Sequence, residues 1–213
     1  MMDSAPTSPP PAAVATASVH PPPGLDPRLL RQKFAAALEF APFLAGVTRL
    51  PELWPKLYQR AEVPAAWAGR VRVLPAPLRL LVVSEDWCGD SVNVIPVLQR
   101  LVEGSQGRLE LRVIGRDAHP ELMDAHLTGG ARSVPVVLVL DEAFRERGWW
   151  GPRPAPLQRW VMEEGLALAD VERYRAVRTW YVRDRGATLL GEVVPLLERV
   201  SAEAARGAGG GAT

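Results

Sequence analysis

Apolar positions along this 213-residue chain follow two rhythms. Leu30, Phe34, Leu38 and Phe43 recur close to the helical repeat, which predicts one amphipathic helix over residues 27 to about 46. A second helix is expected around 52–62, carrying Leu53, Trp54 and Leu57. The rhythm then changes: Arg79-Leu80-Leu81-Val82-Val83 is short, apolar and β-branched at its end, as a strand covered on both faces should be. Val92, Ile95, Leu98, Leu101 and Val102 restore the helical period to about Glu103, and Gly104 and Gly107 turn the chain into a second strand, Leu109 to Ile114. A strand–helix–strand unit of this length predicts a right-handed crossover and parallel pairing. A short helix from Pro120 to Leu127, stopped by Gly129-Gly130, precedes a third strand, Val136 to Leu140. Arg145 to Trp149 reads as a returning antiparallel edge. Beyond Pro156 the period is helical almost to Ala205, with a break near Gly186.

The chain ends carry no such rhythm. Residues 1–24 are rich in Pro, Ala and Ser and are expected to be a disordered lead-in, and 206–213 a flexible Gly-rich tail. Between them the pattern divides into a helical N-terminal extension, 25–70, and a sheet domain with C-terminal helices, 71–205. The formal net charge of +1, without a block of like charges, argues against an electrostatic nucleic-acid binder. The longest apolar runs are strand-sized and far short of the ~18 residues that would cross a bilayer. No signal peptide is read at the N-terminus, and a single cysteine fits a reducing compartment, so a cytoplasmic location is expected.

That cysteine, Cys88, sits where the first strand runs into a helix, within Ser84-Glu85-Asp86-Trp87-Cys88-Gly89-Asp90-Ser91. A thiol there faces the free N–H groups and positive dipole end of the helix, which favour a thiolate. A strand followed by Trp-Cys-x-x-Ser resembles the thioredoxin family. Pro96 matches the family's helix-kinking proline, and Ser133-Val134-Pro135 matches its cis-proline loop. Trp150-Gly151-Pro152-Arg153-Pro154, together with the other motifs, is similar to a bacterial branch that commonly carries a helical N-terminal extension and lacks a firmly assigned activity. The resemblance covers roughly residues 50–190. It implies an α/β, thioredoxin-like fold: a central mixed sheet of about four strands flanked by helices, with the helical extension and helical C-terminus added.

The resemblance also implies roles. Cys88 would be the nucleophile, exposed and reactive, and Ser91, at the resolving-cysteine position, would donate a hydrogen bond to the thiolate. Trp87 would supply a flat apolar surface and Gly89 room for backbone N–H groups near sulfur. The Val134-Pro135 backbone would pair with an extended thiol peptide. Arg132 has two readings, a contact to a glutathione carboxylate or a structural ion pair. Departures from dithiol relatives are equally plain. Val82 stands where a buried acid is usual, and Asp90 places a like charge beside the thiolate. Glu85, Asp86 and Asp90 read as loop caps and solvated charges rather than an acid/base set. His119 and His126, near Asp117, Glu121 and Asp124, match no metal-ligand spacing and are expected on a solvated helix. Trp149 and Trp150, before Gly-Pro-Arg-Pro, have two readings, core packing with turn rigidity or a ligand cage.

Two functions compete. One is a monothiol thiol–disulfide oxidoreductase, with Cys88 forming a mixed disulfide with a low-molecular-weight thiol or a protein. No resident cofactor or metal is expected, and glutathione or a similar thiol would be the co-substrate. The other is a redox-inactive binding or adaptor protein on the same fold. A third reading, a [2Fe–2S] cluster shared between two chains, follows from the likeness to monothiol glutaredoxins.

Overall fold

In the computed structural model, which describes residues 18–209, the apolar run Leu78–Ser84 is the central strand. The described sheet comprises β1 (Val19–His20), β2 (Leu38–Glu39), β3 (Leu78–Ser84), β4 (Leu109–Gly115), β5 (Val136–Leu140) and β6 (Glu146–Trp150). Their order is β1-β6-β5-β3-β4-β2. β3 and β4 run parallel from Leu78↔Leu109 to Ser84↔Gly115, and β3 and β5 run antiparallel from Arg79↔Leu140 to Val83↔Val136. The expected sheet of about four strands is therefore the middle of a six-stranded one, closed at each margin by a two-residue strand. β6 returns antiparallel to β5, but β1 lies outside it, so it is not the edge. Val19–His20 falls within the lead-in expected to be unstructured; residues 1–17 and 210–213 lie outside the described residues.

The helices are α1 (Pro27–Ala36), α2 (Phe40–Ala45), α3 (Leu53–Arg60), α4 (Ala65–Arg72), α5 (Ser91–Gly104), α6 (Pro120–Ala125), α7 (Ala155–Glu163), α8 (Asp170–Asp184) and α9 (Ala187–Gly209). The single helix expected over 27–46 is split. Ala37 turns extended, Leu38–Glu39 pairs with β4, and only then does α2 begin. Pro42 has no N–H to bond the Leu38 carbonyl of a continuous helix, and β4 offers that segment strand partners instead. α4 has no counterpart in the sequence reading; it buries only Ala68 and Val71, too few apolar positions to declare a period. α6 stops at Ala125 rather than Leu127, and Thr128 and Ala131 bridge across the Gly129-Gly130 turn. The C-terminal helical stretch breaks twice, at a short 3₁₀ turn (Gly165–Ala167) and at Arg185-Gly186.

Period-two alternation along the strands divides the core into two layers. Leu80, Val82, Val137, Val139 and Trp150 face α5 and α9, with Trp54 of α3 and Val71 of α4 in the same layer. Leu81, Val83, Val136, Leu138 and Trp149 face Leu30 and Phe34 of α1 and Leu122 and Met123 of α6. Cys88 belongs to this second layer, at the C-terminal end of β3.

Candidate functional site

The loop between β3 and α5 carries Cys88, and two hydrogen bonds hold its sulfur. The thiol donates to the Val134 carbonyl at 3.2 Å, and the Ser91 backbone N–H points to the sulfur at 3.5 Å. The Ser91 hydroxyl is fully buried and has no partner in hydrogen-bond geometry, yet it lies near enough to the sulfur to favour its anion. Cys88 is not the exposed thiol expected from the sequence: only 6% of the residue is accessible. Burial pushes its thiol pKa up, and the Asp90 charge pushes the same way, against the pull of Ser91 and the backbone N–H groups. The helix N-terminus therefore does not prevail. Cys88 packs in the second core layer with Val134, Leu122 and Met123, while Leu50, Leu53, Tyr174 and Val177 line the cleft next to it.

Asp90 overturns its solvated reading as well. It is 7% exposed and accepts from Arg153 Nη2 at 2.7 Å and from the Tyr181 hydroxyl at 3.0 Å. Burial raises its carboxyl pKa against both partners. Arginine stays charged in proteins, so the ionised carboxylate is the form that satisfies Arg153, and the two make a buried ion pair. Arg153 and Tyr181 were not singled out from the sequence. Arg153 had a signal, a lone charge between two prolines of Gly151-Pro152-Arg153-Pro154; Tyr181 had none.

The other expected site residues separate into two groups. Trp87 is 44% exposed at the mouth, with the Arg116 guanidinium 4.9 Å from its ring centroid. Val134 and Pro135 pack beside the cysteine loop, and the bond between them is cis, as is Gly151–Pro152. Gly89 also borders the site, but a Cβ there would meet nothing within 4 Å, so the fold does not demand glycine for room. Arg132 is paired with Asp124, its Nε and Nη2 each 2.7 Å from the carboxylate, and it also lines the site. Val82 is wholly buried among apolar neighbours.

Of the three loop carboxylates, two are ties. Asp86 accepts from the backbone N–H groups of Thr48 and Arg49, each at 2.8 Å, and Glu85 accepts from Asp117 N–H at 3.0 Å. Burial works against the Asp86 carboxylate, but those N–H groups outweigh it and hold its pKa low. His126 is not solvated: it is fully buried, with its ring nitrogens 2.5 Å from the Leu122 carbonyl and 2.9 Å from Glu146. His119 contacts Lys33 and Glu121. No group of three or more metal-capable side chains occurs among the described residues. Trp150 is core, its Nε1–H donating to Glu192 at 2.8 Å, and Trp149 stacks on His20 with centroids 3.8 Å apart.

Above the sulfur lies a cleft of about 430 Å³, bounded by the cysteine loop, the Arg132-Ser133-Val134 segment, Arg153 and α8. Residues 37–171 match the family profile described as thioredoxin. The chain belongs to the thioredoxin family. Its fold is shared with two solved structures. One is a protein of unknown function, PA1234, from Pseudomonas aeruginosa, at 23% identity and TM-score 0.64, covering 80% of this chain and 97% of that one. The other is an HIV epitope scaffold, at 23% identity and TM-score 0.60, covering 79% and 96%. No curated protein matches the sequence. No helix among the described residues of this thioredoxin-family protein is long and apolar enough to cross a membrane.

Proposed function

We propose that this thioredoxin-family protein is a monothiol thiol–disulfide oxidoreductase. The observation that carries the reading is the seat of Cys88, between the Ser91 N–H and the Val134 carbonyl on the floor of an open cleft. A disulfide entering the cleft brings one sulfur to Cys88. The Cys88 sulfur bonds to it, the substrate S–S bond breaks, and the departing thiolate takes the proton that Cys88 gives up. A second, external thiol then attacks the mixed disulfide, forming a new disulfide and returning Cys88 to its thiol. Ser91 cannot perform that second step, having no sulfur, but its unpartnered hydroxyl gains an acceptor when Cys88 becomes an anion. The Val134 N–H has no partner among the described residues and suits backbone pairing with an extended substrate.

Mass spectrometry of the folded protein after exposure to oxidised glutathione tests this reading. We expect one adduct, removed by reductant and absent in Cys88→Ser. A folded protein that takes no adduct, while the denatured chain does, leaves the second reading, a redox-inactive adaptor. The covered sulfur and its raised pKa are the observations in that reading's favour.

A further inference from the structure

We propose that the cleft over Cys88 selects small disulfides bearing carboxylate groups, gripped at the rim by Arg116, Arg132 and Arg178 while their apolar parts rest on the walls. This inference rests on the thiol–disulfide reading above and narrows it to a substrate class.

Five arginines border the cleft, Arg116, Arg132, Arg153, Arg173 and Arg178, whereas the one acidic residue bordering it is Asp90. Asp90 is 7% exposed and engaged by Arg153, so its charge is answered from within. Arg116, Arg132 and Arg173 are paired with Asp117, Asp124 and Asp170, carboxylates that do not border the cleft. Arg178, exposed on α8, has no hydrogen bond or ion pair among the described residues. The chain as a whole carries a formal net charge of only +1, so this concentration is local. With four of the five answered by carboxylates, Arg178 carries the excess positive charge; an excess of one sign in a concave site raises the local concentration of opposite ions, and guanidinium groups match carboxylates in geometry as well as charge.

Between the arginines the walls are apolar, with Leu50, Leu53, Val92, Val161 and Val177. A volume of about 430 Å³ suits a small molecule. With Cys88 only 6% accessible, the sulfur lies too deep for the broad face of a folded protein, while a thin disulfide reaches it. The wholly buried, unpartnered Ser91 hydroxyl beside the sulfur marks where the reacting anion develops. The exchange is R–S–S–R plus Cys88–SH giving Cys88–S–S–R plus R–SH, the substrate disulfide being the oxidant.

Three disulfides of different charge test the selection: dithiodiglycolate (anionic), bis(2-hydroxyethyl) disulfide (neutral) and cystamine (cationic). Each rate of mixed-disulfide formation at Cys88 is divided by that reagent's rate with free cysteine, which removes intrinsic reactivity. We expect the anionic reagent to exceed the cationic one by about tenfold or more at low ionic strength, the ratio shrinking as salt is added. Arg178→Glu should reduce that ratio severalfold, and Arg178→Lys should largely preserve it. Equal normalised rates across the three reagents, or a ratio indifferent to Arg178→Glu, overturn the proposal while leaving Cys88 reactive. Failure of all three to modify the folded protein overturns it together with the thiol–disulfide reading.

Discussion

A thiol is nucleophilic as its anion, and the surroundings of Cys88 favour the protonated form. Loss of water around the sulfur is the larger cause and the Asp90 charge the next. The pH profile of Cys88 alkylation should therefore have its midpoint above the ~8.5 of free cysteine. A midpoint below that value would show that the helix N-terminus outweighs burial. Asp90→Asn removes the like charge and leaves Arg153 uncompensated nearby, so both changes lower the thiol pKa. Alkylation at neutral pH should become severalfold faster, at a stability cost of about 3 kcal/mol for the broken buried pair, read by urea denaturation. At this scale the sequence was half legible. The Trp-Cys-x-x-Ser run located the thiol, but its burial follows from packing in one layer with Leu122, Met123 and Val134, residues distant in the chain and without a pattern that points to the cysteine.

The elements around the site hold one another through the β5–β6 hairpin and the loop that follows it. Gly151 has φ +149°, and a Cβ there would sit 2.3 Å from the Pro135 carbonyl oxygen. The two cis-proline loops thus approach to a distance that only glycine permits. Gly151→Ala should cost about 2 kcal/mol or more and displace Pro135, slowing Cys88 chemistry as well as lowering the unfolding midpoint. Unchanged stability would mean that the loops separate freely.

At the hairpin turn, Asp141 accepts from the Ala143 and Arg145 N–H groups, both at 2.9 Å, and from the guanidinium groups of Arg145 and Arg147. Burial disfavours its charge, but these donors outweigh it, so its pKa is lowered. A group with a depressed folded pKa adds stability above its unfolded value, 3.8, and loses it as pH falls through the folded value. Asp141→Asn should cost about 2 kcal/mol at neutral pH. The gap to the parent protein should narrow as acid is added below 3.8, and a gap independent of pH would contradict the ionic account. β3 and β5 were legible from their apolar runs. The α1–α2 break was not, because the spacing of Leu30, Phe34, Leu38 and Phe43 stays helical while the backbone at Leu38 is claimed by β4.

Across the whole molecule, the layer on the α9 side is one continuous core. Trp54, Val71, Leu98, Val139 and Leu197 belong to it, drawn from α3, α4, α5, β5 and α9. The helices α2, α3 and α4 before β3 and those after β6 share this core, so they should unfold with the sheet. Tryptophan fluorescence and far-UV circular dichroism should give coincident denaturation curves. Leu197→Ala should shift both together by about 2–5 kcal/mol. Separate transitions would mark an independently folding helical part. The fold class could be read from the sequence because three motifs lie in the order the topology requires. The positive rim of the cleft could not, because Arg116, Arg132 and Arg178 come from three distant segments.

The sheet's margins have a further consequence. A long bare edge strand invites any extended chain to copy its pairing, the common route to strand-templated aggregation. Here each outermost described strand is two residues long, and β3, the longest-paired strand, lies deep inside. A passing chain finds little to copy at either flank. The Val134 N–H, in the segment whose carbonyl holds the Cys88 thiol, is a different case, a single donor with no partner among the described residues. Unpaired backbone is thus scarce along the flanks of the sheet and present beside the thiol.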